Sequence, residues 1–329
     1  MNLTAALDHS LQFDAEYSTR LSNHLPMLLV ALHRLGASDE RLASASARYA
    51  GKLHPMPPLH PWAAGDAWRV PLGDPSIWPR YRDLFSTWMQ EEGAGETLRQ
   101  VLPALLPGCG AAAFHGLIRT AYAVDAAHRA ELVHALAYWS SRWLDLGVAD
   151  ASAGPAGGEM ADPAALLKKA AAVPGVGASP SAYIVERMHH AAWQPGFELA
   201  VQPLQLDGHT LPRLARHAAN LYARSGDFTV LHLVTSAWAL RVLMPFVEEP
   251  AAALAAYWRA YAAGAASVAA KLKLTREPAP LPWPQIVAAA VASDDEHLVK
   301  LVHTCQQEQQ AYGGADDWQR AATRAVLGA

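Results

Sequence analysis

Apolar residues recur every three or four positions along almost the whole chain, and this spacing constrains the fold more than any other feature. The clearest segment runs from about Asp14 to Leu35, where five leucines share one helical face: Leu21, Leu25, Leu28, Leu32 and Leu35. Such spacing keeps apolar side chains on one side of a 3.6-residue helix, whereas a half-buried strand requires alternation by two. The sequence therefore predicts an all-α protein in which Phe197–Val201 is the strand candidate.

The same spacing predicts further helices, and the breaks between them predict the loops. The helices are expected at about Asp39–Tyr49, Pro75–Gln90, Glu96–Leu106, Ala111–Val124, Ala126–Leu146, Ser181–Ala192, Leu211–Ala223, Phe228–Phe246, Ala251–Lys273, Ile286–Ala292, Asp294–Gln310 and Asp316–Leu327. Leu53–Asp74 holds five prolines and predicts an ordered loop, while Gly147–Asp162 is rich in Gly, Ala and Ser and predicts a flexible one. Because the chain has no repeat of fixed period, we expect one large helical domain over residues 1–329.

The charge balance, the apolar runs and the cysteines indicate which partners and which cellular compartment to expect. Lys and Arg total 26 against 30 Asp and Glu, a net charge of −4 without clustered positive charge, so nucleic acid is not an expected partner. The longest apolar run, Thr229–Phe246, is interrupted by Arg241 and other polar residues, which predicts no membrane span. Cys109 and Cys305 lie far apart, and Asp8 interrupts the amino-terminal apolar stretch, so we expect a cytoplasmic protein. The sequence leaves a homodimer open.

Gly108–Ala113 formally matches the GxGxxG/A dinucleotide fingerprint. The fingerprint requires a strand that leads through a tight turn into a helix, and Glu96–Leu106 is a predicted helix. We therefore expect these glycines to mark a helix break and not a cofactor site.

Two ExxH pairs, Glu131 with His134 and Glu186 with His189, resemble half of a carboxylate-bridged di-iron site. Such a site needs two further glutamates on separate helices, and the only acid between the pairs at a useful spacing, Glu159, falls in the predicted flexible loop. Ion pairs on a solvated helix face are the favoured interpretation.

Histidine is frequent, with 15 copies, and four histidines stand on apolar stretches of separate predicted helices: His24, His115, His232 and His297. A buried imidazole must be hydrogen-bonded or bound to a metal. Any one of the four is more simply a hydrogen-bonded core residue, but the four together are harder to dismiss as ligands, because four predicted helices each present one inward-facing imidazole. Lys300 shares a helix face with His297, and burial would lower its pKa until the neutral amine reacts with carbon dioxide; a lysine extended to the surface is the alternative.

The segments around these residues resemble the successive motifs of the questin oxidase-like family. The matching segments are Asn23–Pro26, Ala31–Ala37, Phe114–Arg119, Leu231–Ser236 and Asp294–Leu301, and the resemblance runs from about Asp14 to about Tyr312. It implies oxidation or ring opening of polycyclic aromatic ketones, notably anthraquinones, by Baeyer–Villiger-like or dioxygenase chemistry. One branch of the family uses a non-haem iron held by histidines and a carboxylated lysine. The ligands so implied are His24, His115, His232, His297 and Lys300; Arg119 stands where fungal members often have another histidine.

The resemblance implies an oxidoreductase that takes Fe(II), dioxygen and an aromatic substrate. Candidates to stack on a flat substrate are Phe114, Tyr122, Trp193, Trp238 and Phe228, although each is individually more typical of a core. Arg119 is a candidate to stabilise an enolate or peroxide anion, with a surface salt bridge as the alternative. Two other functions stay open: a metal-free, NADPH-dependent Baeyer–Villiger-type oxidase, against which the missing dinucleotide signature counts, and a non-enzymatic helical binding protein.

Overall fold

The computed structural model describes residues 1–62, 65–147, 162–202, 206–314 and 316–328. Within these ranges 67% of the chain is helical and only 2% is strand, and the helices form a single domain without a regular repeat. The all-α prediction is therefore confirmed. Most of the predicted flexible loop Gly147–Asp162, including Glu159, lies outside the described residues.

The described part of the chain contains sixteen α-helices and one two-stranded ribbon. In chain order they are α1 Leu3–Ser10, β1 Glu16–Tyr17, β2 Leu21–Ser22, α2 Leu25–Arg34, α3 Asp39–Ala50, α4 Trp78–Glu91, α5 Ala94–Leu105, α6 His115–Asp125, α7 Arg129–Ser141, α8 Pro163–Ala172, α9 Ile184–Ala192, α10 Phe197–Val201, α11 Thr210–Ser225, α12 Phe228–Leu243, α13 Pro250–Ala269, α14 Trp283–Ala292, α15 Glu296–Tyr312 and α16 Asp317–Leu327. Short 3₁₀ turns stand at Gly65–Arg69, Pro75–Ile77, Leu106–Gly108 and Met244–Phe246.

The first predicted helix is shorter than expected, because its amino-terminal half is a β-hairpin. β1 and β2 pair antiparallel, with Tyr17 opposite Leu21, and the helix begins only at Leu25. Asn23 fixes the boundary: its side-chain amide donates to the carbonyl of Asp14, and its side-chain oxygen accepts the N–H of Leu25. Strands of two residues are too short to show an alternation of apolar and polar residues. The helical spacing of the leucines therefore extended the predicted helix over the hairpin.

Phe197–Val201 is a short helix, so the prediction of a strand there was wrong. Phe197 and Val201 are the buried residues of the segment, and their separation of four places them on one helical face. Gly196 precedes them at φ 89°, a backbone conformation that glycine adopts without strain. The sequence interpretation also missed α1 and α8.

Helix α12 is the centre of the fold, packing against α6, α11, α13 and α15. The segment Phe228–Phe246 is long and apolar enough to cross a membrane by length and composition alone, and 72% of it is buried inside the protein. The core helix of a soluble protein has the same properties. The imidazoles that α12 and its neighbours carry therefore meet in the protein interior.

Gly108–Ala113 follows helix α5 and not a strand, as expected, and it does not form a dinucleotide-binding turn. A Cβ atom at Gly108 would lie 2.4 Å from the indole ring of Trp143. The glycine is thus required for close packing of this break against the segment that follows α7.

Candidate metal centre

The structure brings the four predicted histidines together at the meeting point of four helices. His24 immediately precedes α2, His115 opens α6, His232 lies in the second turn of α12, and His297 lies in the first turn of α15. The ring centroids of neighbouring members are 4.6 to 5.7 Å apart. Polar residues on apolar stretches therefore marked one cluster and not four separate core positions.

Two of the rings are anchored through the same nitrogen to backbone carbonyls. Nδ1 of His115 lies 2.6 Å from the carbonyl oxygen of Ala112, and Nδ1 of His232 lies 2.7 Å from that of Phe228. A carbonyl oxygen can only accept, so each Nδ1 carries the proton and each Nε2 is left with a bare lone pair. Nε2 of His232 is buried and has no hydrogen-bond partner among the described residues.

His24 is anchored in the same sense by a carboxylate. Its Nδ1 lies 3.3 Å from Oε1 of Glu296, which also accepts from the Tyr49 hydroxyl at 3.5 Å and lies 3.7 Å from Nζ of Lys52. Nε2 of His24 is therefore turned away from the carboxylate and lies 2.7 Å from Nε2 of His115. Two bare lone pairs repel at this distance, so the contact requires a proton or a cation between them.

His297 completes the cluster. Its Nδ1 lies 3.7 Å from a carboxylate oxygen of Asp295, and its Nε2 is buried without a hydrogen-bond partner in the described part of the chain. His24, His115 and His297 can each offer a ligand atom within 4.8 Å of the others. His232 lies outside this group of three but lines the same cavity. Neutral imidazole nitrogens that face one another, with Nδ1 of His24, His115 and His232 held by oxygen acceptors, are a donor set that suits a transition metal, so these residues fit a metal.

Burial keeps the cluster neutral. It lowers the pKa of His24, His115 and His232 well below the ordinary value of 6.5, and it lowers the pKa of His297 as well. Burial also lowers the pKa of Lys300 to about 8, and the proximity of its charge depresses the pKa of all four imidazoles further. Neutral imidazole is the form that ligates metals.

The imidazoles lie at one side of a largely apolar cavity of about 280 Å³. Its other lining residues are Tyr17, Arg20, Leu21, Ser22, Ala112, Ala113, Ala182, Tyr183, Ile184, Val185 and Phe228. The hairpin supplies one wall and the segment that leads into α9 supplies another. Arg20 joins these walls, because it pairs with Glu186 and stacks over the Tyr183 ring at 4.6 Å.

Arg119 lies outside the lining of this cavity. Its guanidinium makes a bidentate contact with Glu131, at 2.5 and 3.0 Å, and both side chains are almost fully buried. Arg119 does form a salt bridge, but the pair is buried, so the alternative of a surface salt bridge was wrong about its location. The interpretation that Glu131 lies on a solvated helix face was wrong for the same reason. Glu186, in contrast, is half-exposed, as expected for the second ExxH pair.

Four of the five aromatic residues predicted as candidates to contact substrate also lie outside the cavity lining. Phe114, Tyr122 and Trp238 are buried in the core, where Tyr122 packs against Trp238 at 4.5 Å between ring centroids. Trp193 is half-exposed at the surface. Phe228 does line the cavity, with its ring 4.7 to 4.8 Å from those of two cluster histidines.

Sequence reasoning missed Glu296 and the cavity walls. A carboxylate directly before the candidate ligand His297 was a usable signal for Glu296. Tyr17 and Tyr183 are 166 positions apart and lie in loops or short strands, so no periodicity marked them.

The family model described as Questin oxidase-like matches residues 21–194 and 210–305, which is most of the chain. These ranges include the four histidines and Lys300. No curated protein matches the chain.

Proposed function

The chain belongs to the questin oxidase-like family, and from this premise we propose that it is an iron-dependent oxygenase acting on a polycyclic aromatic ketone or quinone. Family membership itself indicates an oxidoreductase. The finer proposal assigns His24, His115, His232 and His297 as ligands of Fe(II). Lys300, as a carboxylated lysine, is the fifth.

One observation carries this proposal: His24, His115 and His297 each offer a ligand atom within 4.8 Å of the others, beside an apolar cavity that His232 also lines. The buried Nε2 atoms of His232 and His297 have no hydrogen-bond partner among the described residues. Bound Fe(II) would supply the one-electron chemistry with dioxygen that amino-acid side chains lack. The protein's part is to hold the imidazoles in one tautomer, to exclude water and to orient the substrate.

Lys300 provides the anionic ligand. With its pKa lowered to about 8, a useful fraction of the amine is neutral near pH 7. The neutral nitrogen attacks carbon dioxide, a new N–C bond forms, and one proton leaves to solvent, which gives a carbamate with two oxygen donors. The surrounding imidazoles are neutral, so this single negative charge offsets part of the charge of the metal.

The cavity favours a flat and largely apolar substrate. Its volume of about 280 Å³ is at the lower end for small-molecule pockets, which suits a few fused rings without large substituents. Leu21 and Phe228 leave apolar surface exposed at its edge.

A cytoplasmic location is part of the proposal, because Cys109 and Cys305 are both buried free thiols.

Elemental analysis tests the proposal. Untagged protein is purified without chelator as wild type, His232→Ala and His134→Ala, the last removing an imidazole that packs against Trp78 outside the cavity. We expect near-stoichiometric iron in the wild type and the His134 variant and its loss in the His232 variant. Iron-loaded protein should then consume oxygen with anthraquinone-type ketones.

Two other outcomes would overturn the proposal. Turnover of a quinone by metal-free protein with NADPH would establish the metal-free oxidase. The absence of both metal and turnover, with a ketone still bound, would establish a binding protein.

A further inference from the structure

Three consecutive residues before His115 adopt a left-handed backbone conformation although none is glycine. Their φ angles are 46° at Ala112, 57° at Ala113 and 68° at Phe114. L-residues rarely adopt this region, because Cβ approaches the following carbonyl oxygen. Backbone strain of this kind persists only where the surrounding structure holds it, and it is concentrated at functional sites.

The chain on both sides of His115 is fixed by close packing. Phe114 is fully buried in the core against Tyr257. On the other side of His115, a Cβ atom at Gly116 would lie 2.7 to 2.9 Å from atoms of Trp139, so the first turn of α6 is pressed against α7. The chain therefore cannot relax the turn by moving the start of the helix.

The strained turn places one carbonyl where it holds His115 twice. The oxygen of Ala112 accepts the backbone N–H of His115 at 3.3 Å and its ring Nδ1 at 2.6 Å. These two bonds fix both the backbone and the ring. The turn also brings Ala112 and Ala113 into the cavity wall, beside the imidazole they orient.

We propose that the left-handed turn Ala112–Phe114 is a positioning element, which keeps His115 in the Nδ1-protonated tautomer with Nε2 directed into the cluster. The proposal rests on the proposed function in one respect only, namely that Nε2 of His115 is a metal ligand. Alanine serves better than glycine here, because glycine would widen the range of backbone torsions and release the carbonyl of Ala112.

The test compares two Ala→Gly variants at matched backbone conformations. Ala113→Gly relaxes the turn, whereas Ala127→Gly relaxes a left-handed alanine, at φ 51°, just beyond the opposite end of α6 and outside the cavity. Both should raise the Tm of metal-free protein by about 2 °C, because each removes the same strain. Only Ala113→Gly should weaken Zn(II) binding, by about tenfold or more.

A metal-independent measurement accompanies the titration. In ¹⁵N-labelled metal-free protein the Nδ1 proton of His115, assigned by its absence in His115→Gln, should be protected in wild type and Ala127→Gly and lost in Ala113→Gly. Unchanged Zn(II) affinity and an unchanged Nδ1 signal in Ala113→Gly would overturn the positioning role, as would a Tm that does not rise. If wild-type protein binds no metal, the proposed function fails while the Nδ1 signal still decides this inference.

Discussion

Replacing His232 by leucine should stabilise the metal-free protein and abolish its stabilisation by metal. The side chain is 1% exposed, and its Nε2 has no hydrogen-bond partner among the described residues. A buried unsatisfied polar atom costs about 1–3 kcal/mol, whereas the bond from Nδ1 to the Phe228 carbonyl contributes only about 1 kcal/mol. Leucine removes both the cost of the unsatisfied Nε2 and the contribution of the Nδ1 hydrogen bond, and it buries more apolar surface. We therefore expect a net gain of about 1–2 kcal/mol in the free energy of unfolding.

Metal binding should make the wild-type protein more stable than the His232→Leu variant. At a free metal concentration a hundred times Kd, wild-type protein gains about 2.7 kcal/mol, and the variant gains little. The assay is urea unfolding followed by tryptophan fluorescence, in EDTA and in Zn(II), which is redox-inert. His217→Leu is the matched control, because it removes an imidazole that bonds the Tyr261 hydroxyl outside the cavity, and its metal response should persist.

The reasoning would be refuted if His232→Leu lost 1 kcal/mol or more in EDTA. That result would mean that Nε2 is already satisfied in the metal-free protein, and the argument that the cluster needs an occupant would fall. A wild-type protein that gains no stability from Zn(II) would refute the metal assignment directly.

Three other perturbations test individual carboxylates, two in the protein interior and one beside the histidine cluster. Glu131→Gln leaves the buried charge of Arg119 uncompensated and should cost about 3 kcal/mol in urea unfolding, whereas Glu186→Gln, in a half-exposed pair, should cost less than about 1 kcal/mol; equal costs would contradict the burial argument. Burial raises the pKa of Glu308 to about 7, so the folded protein binds more protons than the unfolded chain and stability should fall by about 3 kcal/mol as pH rises from 4.5 to 7. Glu308→Gln should remove that dependence, and an unchanged pH profile would exclude the effect. Glu296→Gln should weaken Zn(II) binding by about 10- to 100-fold in calorimetric titration, and an unaltered affinity would show that this carboxylate does not orient its imidazole.

The periodicity of the sequence was sufficient for the fold class, because burial of one helix face leaves a repeating signal in every window. It failed where elements are short. The hairpin before α2 and the five-residue helix α10 contain too few residues for a period of two to be distinguished from one of 3.6.

Polar residues on apolar stretches were sufficient to identify the histidine cluster. A buried imidazole needs a polar partner, so a histidine on an apolar stretch is a signal that the sequence itself carries. The cavity walls had no such signal. Tryptophan and tyrosine are frequent in cores, so an aromatic ring near a candidate ligand in sequence, such as Phe114 or Tyr122, was no guide to which side of the helix it faces. Phe228 is instructive, because it precedes His232 by one helical turn and shares its face.

Several unfavourable features of this protein meet at the histidine cluster. A strained backbone holds His115, and within the described ranges the buried Nε2 atoms of His232 and His297 have no hydrogen-bond partner. Lys300 is buried where its charge is costly. Explained separately, each would need its own compensation elsewhere in the fold. A single cation bound by the imidazoles would satisfy the nitrogens, relieve the repulsion between His24 and His115 and favour the carbamate over the ammonium form of Lys300. One occupant, as proposed, would thus account for costs that independent core positions would leave unexplained.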